Sequence, residues 1–199
     1  MVKNITPRQS EIVGILLMVL SVLVLLSLVS YNPTEEPTLS PEIKSRNLLG
    51  YFGIFVSHFL IKMTIGWGAL SFPIILGIAG GGLFTRRPYD FITRQCLYFL
   101  GLGIWLGIFF WTAEILISSE PENITHSGLV SAFLGIFLYD IIGSLGLTLT
   151  LFFSMTLLVS GYFNWSVYNG CKIAVEYLKF QIEKIRRIIN ERWASIENK

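Results

Sequence analysis

Along this chain, polar and apolar residues separate into blocks instead of alternating. Ile12–Tyr31, Met63–Phe84, Gln95–Ala113 and Ile141–Cys171 contain no Asp, Glu, Lys or Arg. At a rise of about 1.5 Å per helical residue, each block can cross a hydrocarbon core of about 30 Å. Backbone amides in lipid have no water to bond, so each crossing segment must satisfy its own, as a helix does. The pattern predicts an all-α membrane protein with four transmembrane helices, at about 12–31, 63–84, 95–117 and 143–168. The first block exceeds the hydrophobic core of a cleaved leader and no Ala-x-Ala site follows it, so it reads as a retained span.

Two apolar stretches are longer than one crossing needs. Residues 48–83 carry Lys62 as their one charge, and residues 129–171 carry Asp140. A single straight span of either length would mismatch an ordinary bilayer. The economical solution is a short interfacial helix, then a bend, then the span, with the interfacial helices at about 48–60 and 129–140 on the outer face. The stretches "GYFGIFVSHFLIKMTIGWGALSFP" and "GLVSAFLGIFLYDIIGSLGLTLTL" share Gly-Ile-Phe-[Val/Leu], a later charge and a glycine pair before the span. The chain therefore reads as one four-span domain, 1–170, built from a unit used twice in the same orientation.

Charge sets the orientation. Only 14% of residues are charged, against about 25% in soluble domains. Twelve of the fifteen Lys and Arg lie in the N-terminus, in "TRRPYDFITR" and in the C-terminal segment. The two other loops hold Lys44 and Arg46 against Glu35, Glu36, Glu42, Glu120 and Glu122. The positive-inside rule then places both termini and the Arg86–Arg94 loop in the cytoplasm. Cys96 and Cys171 both fall near that reducing face, and their spacing fits no zinc or redox motif.

Residues 171–199 form a distinct segment, expected as a cytoplasmic amphipathic helix or connector. Leu178, Ile182, Ile185, Ile189 and Trp193 make an apolar seam with near-heptad spacing. Such a seam suits packing against copies of itself or a partner, and a basic helix of this kind also suits an anionic lipid surface. Within the spans, Gly103-x-x-x-Gly107 is a small-xxx-small pair that permits close helix approach.

Catalytic chemistry finds no foothold. Phosphate-loop, His-Glu-x-x-His and nucleophile-elbow motifs are all missing from the sequence. No cofactor or metal set is indicated, since His58 and His126 share no ligand spacing. Lys62, Glu114 and Asp140 are the ionisable residues nearest lipid, where charge is costly. Outer-interface anchoring explains them, and a small proton or ion transporter using Glu114 and Asp140 is the alternative. The tail alternates bases with Glu176, Glu183, Glu191 and Glu197, unlike a one-sided phosphate-reading stripe, so no direct nucleic-acid binding is expected.

One motif adds a resemblance. The first span ends in Ser30-Tyr31-Asn32-Pro33, followed by Glu35, Glu36 and Pro37. Asn47-x-x-Gly50-x-x-Gly53, then Gly66-x-Gly68-Ala69 leading to Pro73, come next, with Gly135 and Gly143-x-x-Gly146 before the last span. This run resembles the N-terminal four-span domain of the FtsK/SpoIIIE family of DNA translocases. His58 stands where that family often has an acid. The resemblance implies a non-enzymatic anchor in the bacterial inner membrane at the division septum. It also implies self-association, contacts with other divisome membrane proteins, and an ATPase motor downstream that moves chromosomal DNA.

Overall fold

The computed structural model describes residues 6–35, 37, 46–117, 126–163, 168, 170, 172, 175–177, 179–184 and 186. Helix α1, Pro7–Val29, begins with a proline at its first turn, where a missing N–H costs nothing. The Gln9 side chain reaches back to accept the Thr6 N–H at 3.0 Å. Next come α2 (Gly50–His58), a wide π-helical turn (Phe59–Ile65) and a narrow 3-10 turn (Gly66–Leu70). Helices α3 (Ser71–Phe84), α4 (Tyr89–Ile117) and α5 (Leu129–Phe163) complete the elements. No strand occurs among the described residues. Among the described residues, four helical stretches are long and apolar enough to cross a membrane, as the block pattern predicts: Pro7–Val29, Gly50–Phe84, Tyr89–Ile117 and Leu129–Phe163.

The two long stretches break at glycine. Gly66 (φ 61°, ψ −135°) ends the π-helical turn, and Gly143 (φ 68°, ψ 177°) interrupts α5. Positive φ is close to free only for glycine, which lacks the Cβ that would clash. Each stretch also starts at such a residue, Gly50 (φ 61°) and Gly128 (φ 70°). The same backbone device thus recurs in both halves: glycine, helix, glycine, helix. The chemistry around the breaks differs. The first passes through π and 3-10 turns, whereas the second is confined to Gly143.

The chain divides into two units, Met1–Phe153 and Ser154–Lys199. In the first, α1 and α3 touch backbone to backbone. A Cβ on Gly14 would lie 2.7 Å from Gly80 O, and one on Gly80 would lie 2.8 Å from Gly14 O. Two hydroxyls fasten the pair, Ser21 Oγ donating to Pro73 O (2.7 Å) and Ser10 Oγ to Leu83 O (2.9 Å). Helix α4 lays its Gly103–Gly107 face on the 3-10 turn: a Cβ on Gly103 would lie 2.8 Å from Gly68 O. Small residues and interhelical hydrogen bonds hold helices where lipid removes the hydrophobic drive for helix contact.

Helix α5 meets α4 differently, through large side chains. Ile108, Trp111, Ala132, Leu147 and Leu151 form a buried cluster, and Trp105 Nε1 donates to Leu151 O at 3.2 Å. A cavity of about 280 Å³, lined by Trp111, Thr112, Tyr139, Ser144 and Leu147 among others, lies where α5 breaks.

In the second unit, Tyr168, Gly170, Lys172, Val175–Tyr177, Lys179–Lys184 and Arg186 are helical. Gln181 Nε2 donates to Tyr177 Oη at 2.9 Å, one turn away. Of the expected tail seam, Ile182 is exposed. Leu178, Ile185, Ile189 and Trp193 lie outside the described residues.

Candidate functional site

The helix ends at Val29 and Ile117 share one end of the first unit, and the polar residues there form two clasps. The first starts where α1 stops. Ser30 donates twice to Leu26 O, from its N–H (3.1 Å) and its hydroxyl (2.6 Å). Pro33 has no N–H to continue the helix and biases Asn32 away from helical backbone. Asn32 Oδ1 then accepts the Thr34 N–H (3.2 Å) and hydroxyl (2.9 Å), a side chain standing in for a turn carbonyl.

That turn sends Glu35 inward. Its backbone N–H donates to Asn32 O (3.1 Å), and the residue is 7% exposed. Glu35 Oε1 accepts the Arg46 N–H at 2.8 Å, joining the two ends of the loop, while Oε2 is buried with no hydrogen-bond partner among the described residues.

Asn47, 6% exposed, is the centre of this clasp. Its Nδ2 donates to Ser27 O (3.1 Å) and Ser30 O (3.3 Å), carbonyls that the end of α1 leaves without helical partners. Its Oδ1 accepts the Leu49 N–H (3.1 Å) at the entry to α2. Ser27 Oγ donates to Gly53 O (2.6 Å), and the Leu48 N–H to Ser30 Oγ (3.2 Å). The spacing Asn47-x-x-Gly50-x-x-Gly53 now has a physical reading. Asn47 bridges the two helices, Gly50 supplies the positive φ, and Gly53 leaves the space that Asn47 fills. Tyr31 turns its ring onto the cluster of Val24, Leu28 and Ile61. Its hydroxyl is buried without a partner among the described residues.

The second clasp is centred on Glu114, near the end of α4. Glu114 Oε1 accepts the His126 N–H (3.2 Å) and lies 2.9 Å from His126 Nδ1. Glu114 Oε2 accepts the Ser127 hydroxyl at 3.1 Å. The segment so held reaches the first break: the Trp67 N–H donates to His126 O at 2.9 Å, and a Cβ on Gly128 would lie 2.6 Å from Ile61 O. Ser131, one turn into α5, places its hydroxyl where a Cβ of Gly107 would be. One carboxylate thereby ties α4, the start of α5 and the break before α3 together.

The other expected ionisable residues stand apart from this. Lys62 is half-buried in the π-helical turn, and Asp140 is exposed on α5. Among the described residues, no ion pair joins Lys62, Glu114 or Asp140 to one another. Glu36, expected in the loop motif, lies outside the described residues. Sequence reasoning found Ser30 to Pro33 and Asn47 as motif positions but missed Ser27 and Ser127, small polar residues at the edge of apolar blocks. It also missed that Glu114 and His126 meet, since the eleven residues between them follow no periodic pattern. Chemically, both clasps commit most of their polar atoms to backbone and neighbouring side chains, Glu35 Oε2 and the Tyr31 hydroxyl aside, so they hold shape.

A scan of protein families matches residues 7–174 to the 4TM region of DNA translocase FtsK/SpoIIIE. Comparison with curated proteins and with solved structures finds no match.

Proposed function

The chain belongs to the FtsK/SpoIIIE 4TM family, and on that premise we propose that it is the membrane anchor and assembly domain of an FtsK-like DNA translocase. Its work is in cell division and chromosome segregation. The observation that carries this reading is the family match over residues 7–174, which takes in all four spans and both clasps. The matched region is a membrane domain, distinct from the ATPase motor of such translocases.

In this reading the domain sits in the bacterial inner membrane at the septum, with both termini and the Arg86–Arg94 loop in the cytoplasm. Its clasped end faces outward toward other divisome membrane proteins. The segment from 171 onward leads to a motor downstream, and its seam from Leu178 to Trp193 associates with copies of itself. The mechanism is mechanical. A rigid anchor resists the reaction force of a motor pulling DNA, and the interhelical hydroxyls and glycine contacts supply that rigidity. The transporter alternative has less support, because Glu114 is engaged by His126 and Ser127 and Asp140 is exposed.

Grafting these 199 residues onto an FtsK-type motor stripped of its own membrane region tests the proposal. Restored division with cleared septa is the expected result. Filaments with DNA trapped at the septum, despite normal membrane levels of the chimera, would overturn it.

A further inference from the structure

The opposite end of the first unit, where α1 and α4 begin and α3 ends, carries a band of arginines. Helix α3 closes with the Arg87 N–H on Gly82 O (2.8 Å) and Arg86 in the left-handed region (φ 54°). Only glycine adopts that conformation without cost, so the turn is held by its surroundings. Arg86 pairs with Glu11 of α1 at 2.6 Å, which brings the first turn of α1 alongside. Arg8 lies three residues before Glu11 and therefore shares its face. On the other side, the Arg87 guanidinium sits 5.4 Å from the centre of the Phe91 ring. Arg94, three residues after Phe91, shares that face of α4. The band thus comprises Arg8, the Glu11–Arg86 pair, Arg87 over Phe91, and Arg94.

Arg86 is neutralised by Glu11. Among the described residues, Arg8, Arg87 and Arg94 have no ion-pair partner, and all three are exposed. Asp90 is the other acid in this band. The exposed Tyr89 flanks it, and tyrosine, with its apolar ring and polar tip, marks headgroup depth. Guanidinium groups present forked donors that match phosphate oxygens, and stacking on an aromatic ring pre-orients Arg87. The cationic excess favours a net-negative headgroup over a zwitterionic one.

We propose that this end of the domain binds an anionic phospholipid of the adjoining leaflet, its phosphodiester taken by Arg87 with Arg8 and Arg94 alongside. The assignment rests on the reading of the chain as a membrane anchor, whose basic end faces the cytoplasmic leaflet. A lipid bridging α1 and α4 would stiffen the end of the bundle nearest a motor and tie the anchor to membrane of suitable composition.

The test uses the full chain in a neutral detergent, titrated with phosphatidylglycerol or phosphatidylcholine and read by native mass spectrometry. Wild type should retain phosphatidylglycerol with at least about tenfold preference. The triple variant Arg8→Gln/Arg87→Gln/Arg94→Gln should lose most of that preference, with its helical circular dichroism and phosphatidylcholine retention unchanged. Lys179→Gln/Lys184→Gln, in the tail, should keep it. Should the triple variant misfold, Arg87→Lys serves instead: it keeps the charge, loses the fork, and should weaken retention about threefold or more. An undiminished preference in the arginine variants, or its loss in the tail variant, overturns the proposal. Neither result depends on where the protein localises, so a failure here is separable from a failure of the anchor reading.

Discussion

Asn47 occupies the space that a side chain on Gly53 would need. A Cβ built on Gly53 would overlap Asn47 Oδ1 and lie 2.7 Å from its Cγ. The Asn47 amide cannot retreat without releasing Ser27 O, Ser30 O and the Leu49 N–H. The two motif positions are therefore one device. Gly53→Ala and Asn47→Ala should each destabilise the protein, by about 1–3 kcal/mol, through overpacking and unpaired carbonyls respectively. The double variant should cost clearly less than the sum, because truncating the Asn47 side chain frees the room that a methyl group at position 53 needs. A double-mutant cycle by thermal unfolding in detergent checks this, and strict additivity would separate the two positions.

Glu114 accepts hydrogen bonds from the His126 N–H and the Ser127 hydroxyl and contacts His126 Nδ1, which makes it a structural acid. Glu114→Ala should destabilise by about 2–4 kcal/mol and raise proteolysis between α4 and α5, and Glu114→Gln should cost less. Protein carrying Glu114→Gln and Asp140→Asn in liposomes should show the same proton and ion flux as wild type. A wild-type flux that this double variant abolishes would restore the transporter reading.

On α4, two glycines of identical local propensity have opposite surroundings. A Cβ on Gly107 would meet Ser131 Oγ and lie 2.7 Å from Ile65 O, whereas one on Gly101 meets nothing within 4 Å. Gly107→Ala should destabilise by about 1–3 kcal/mol. Gly101→Ala should be neutral or stabilising by up to about 1 kcal/mol. Comparing melting temperatures of the two variants checks both expectations.

The proposed orientation rests on charge and can be read chemically. In a background with Cys96→Ser and Cys171→Ser, Thr34→Cys and Asp90→Cys place single thiols at exposed positions on opposite ends of the first unit. A membrane-impermeant maleimide applied to cells with an opened outer envelope should label Thr34→Cys alone. Labelling of Asp90→Cys alone would invert the topology.

The four apolar stretches were legible because lipid imposes a length and bars charge, so block boundaries mark helices directly. The breaks were legible as excess length, yet their positions depend on which glycines take positive φ. The sequence "MTIGWG" offers two candidates; both are packed against backbone, Gly66 on His126 O and Gly68 on Gly103 O, but only Gly66 takes positive φ. The Ser30–Pro33 motif stood out, but its consequence, the burial of Glu35, needs the Asn32 turn and the Arg46 N–H together. The Glu114–His126 contact was invisible because the residues between them follow no helical or strand period. Small polar residues such as Ser27 and Ser21 gave no periodic signal either, since each acts through one hydrogen bond to a carbonyl of another helix.

The anchor reading stands or falls most directly on where the domain goes in a dividing cell. A fluorescent protein fused after Lys199, expressed at low level in a rod-shaped bacterium, should concentrate as a band at the septum from early constriction. Even fluorescence around the whole membrane, with the fusion intact and Asn47→Ala no different from wild type, would contradict it.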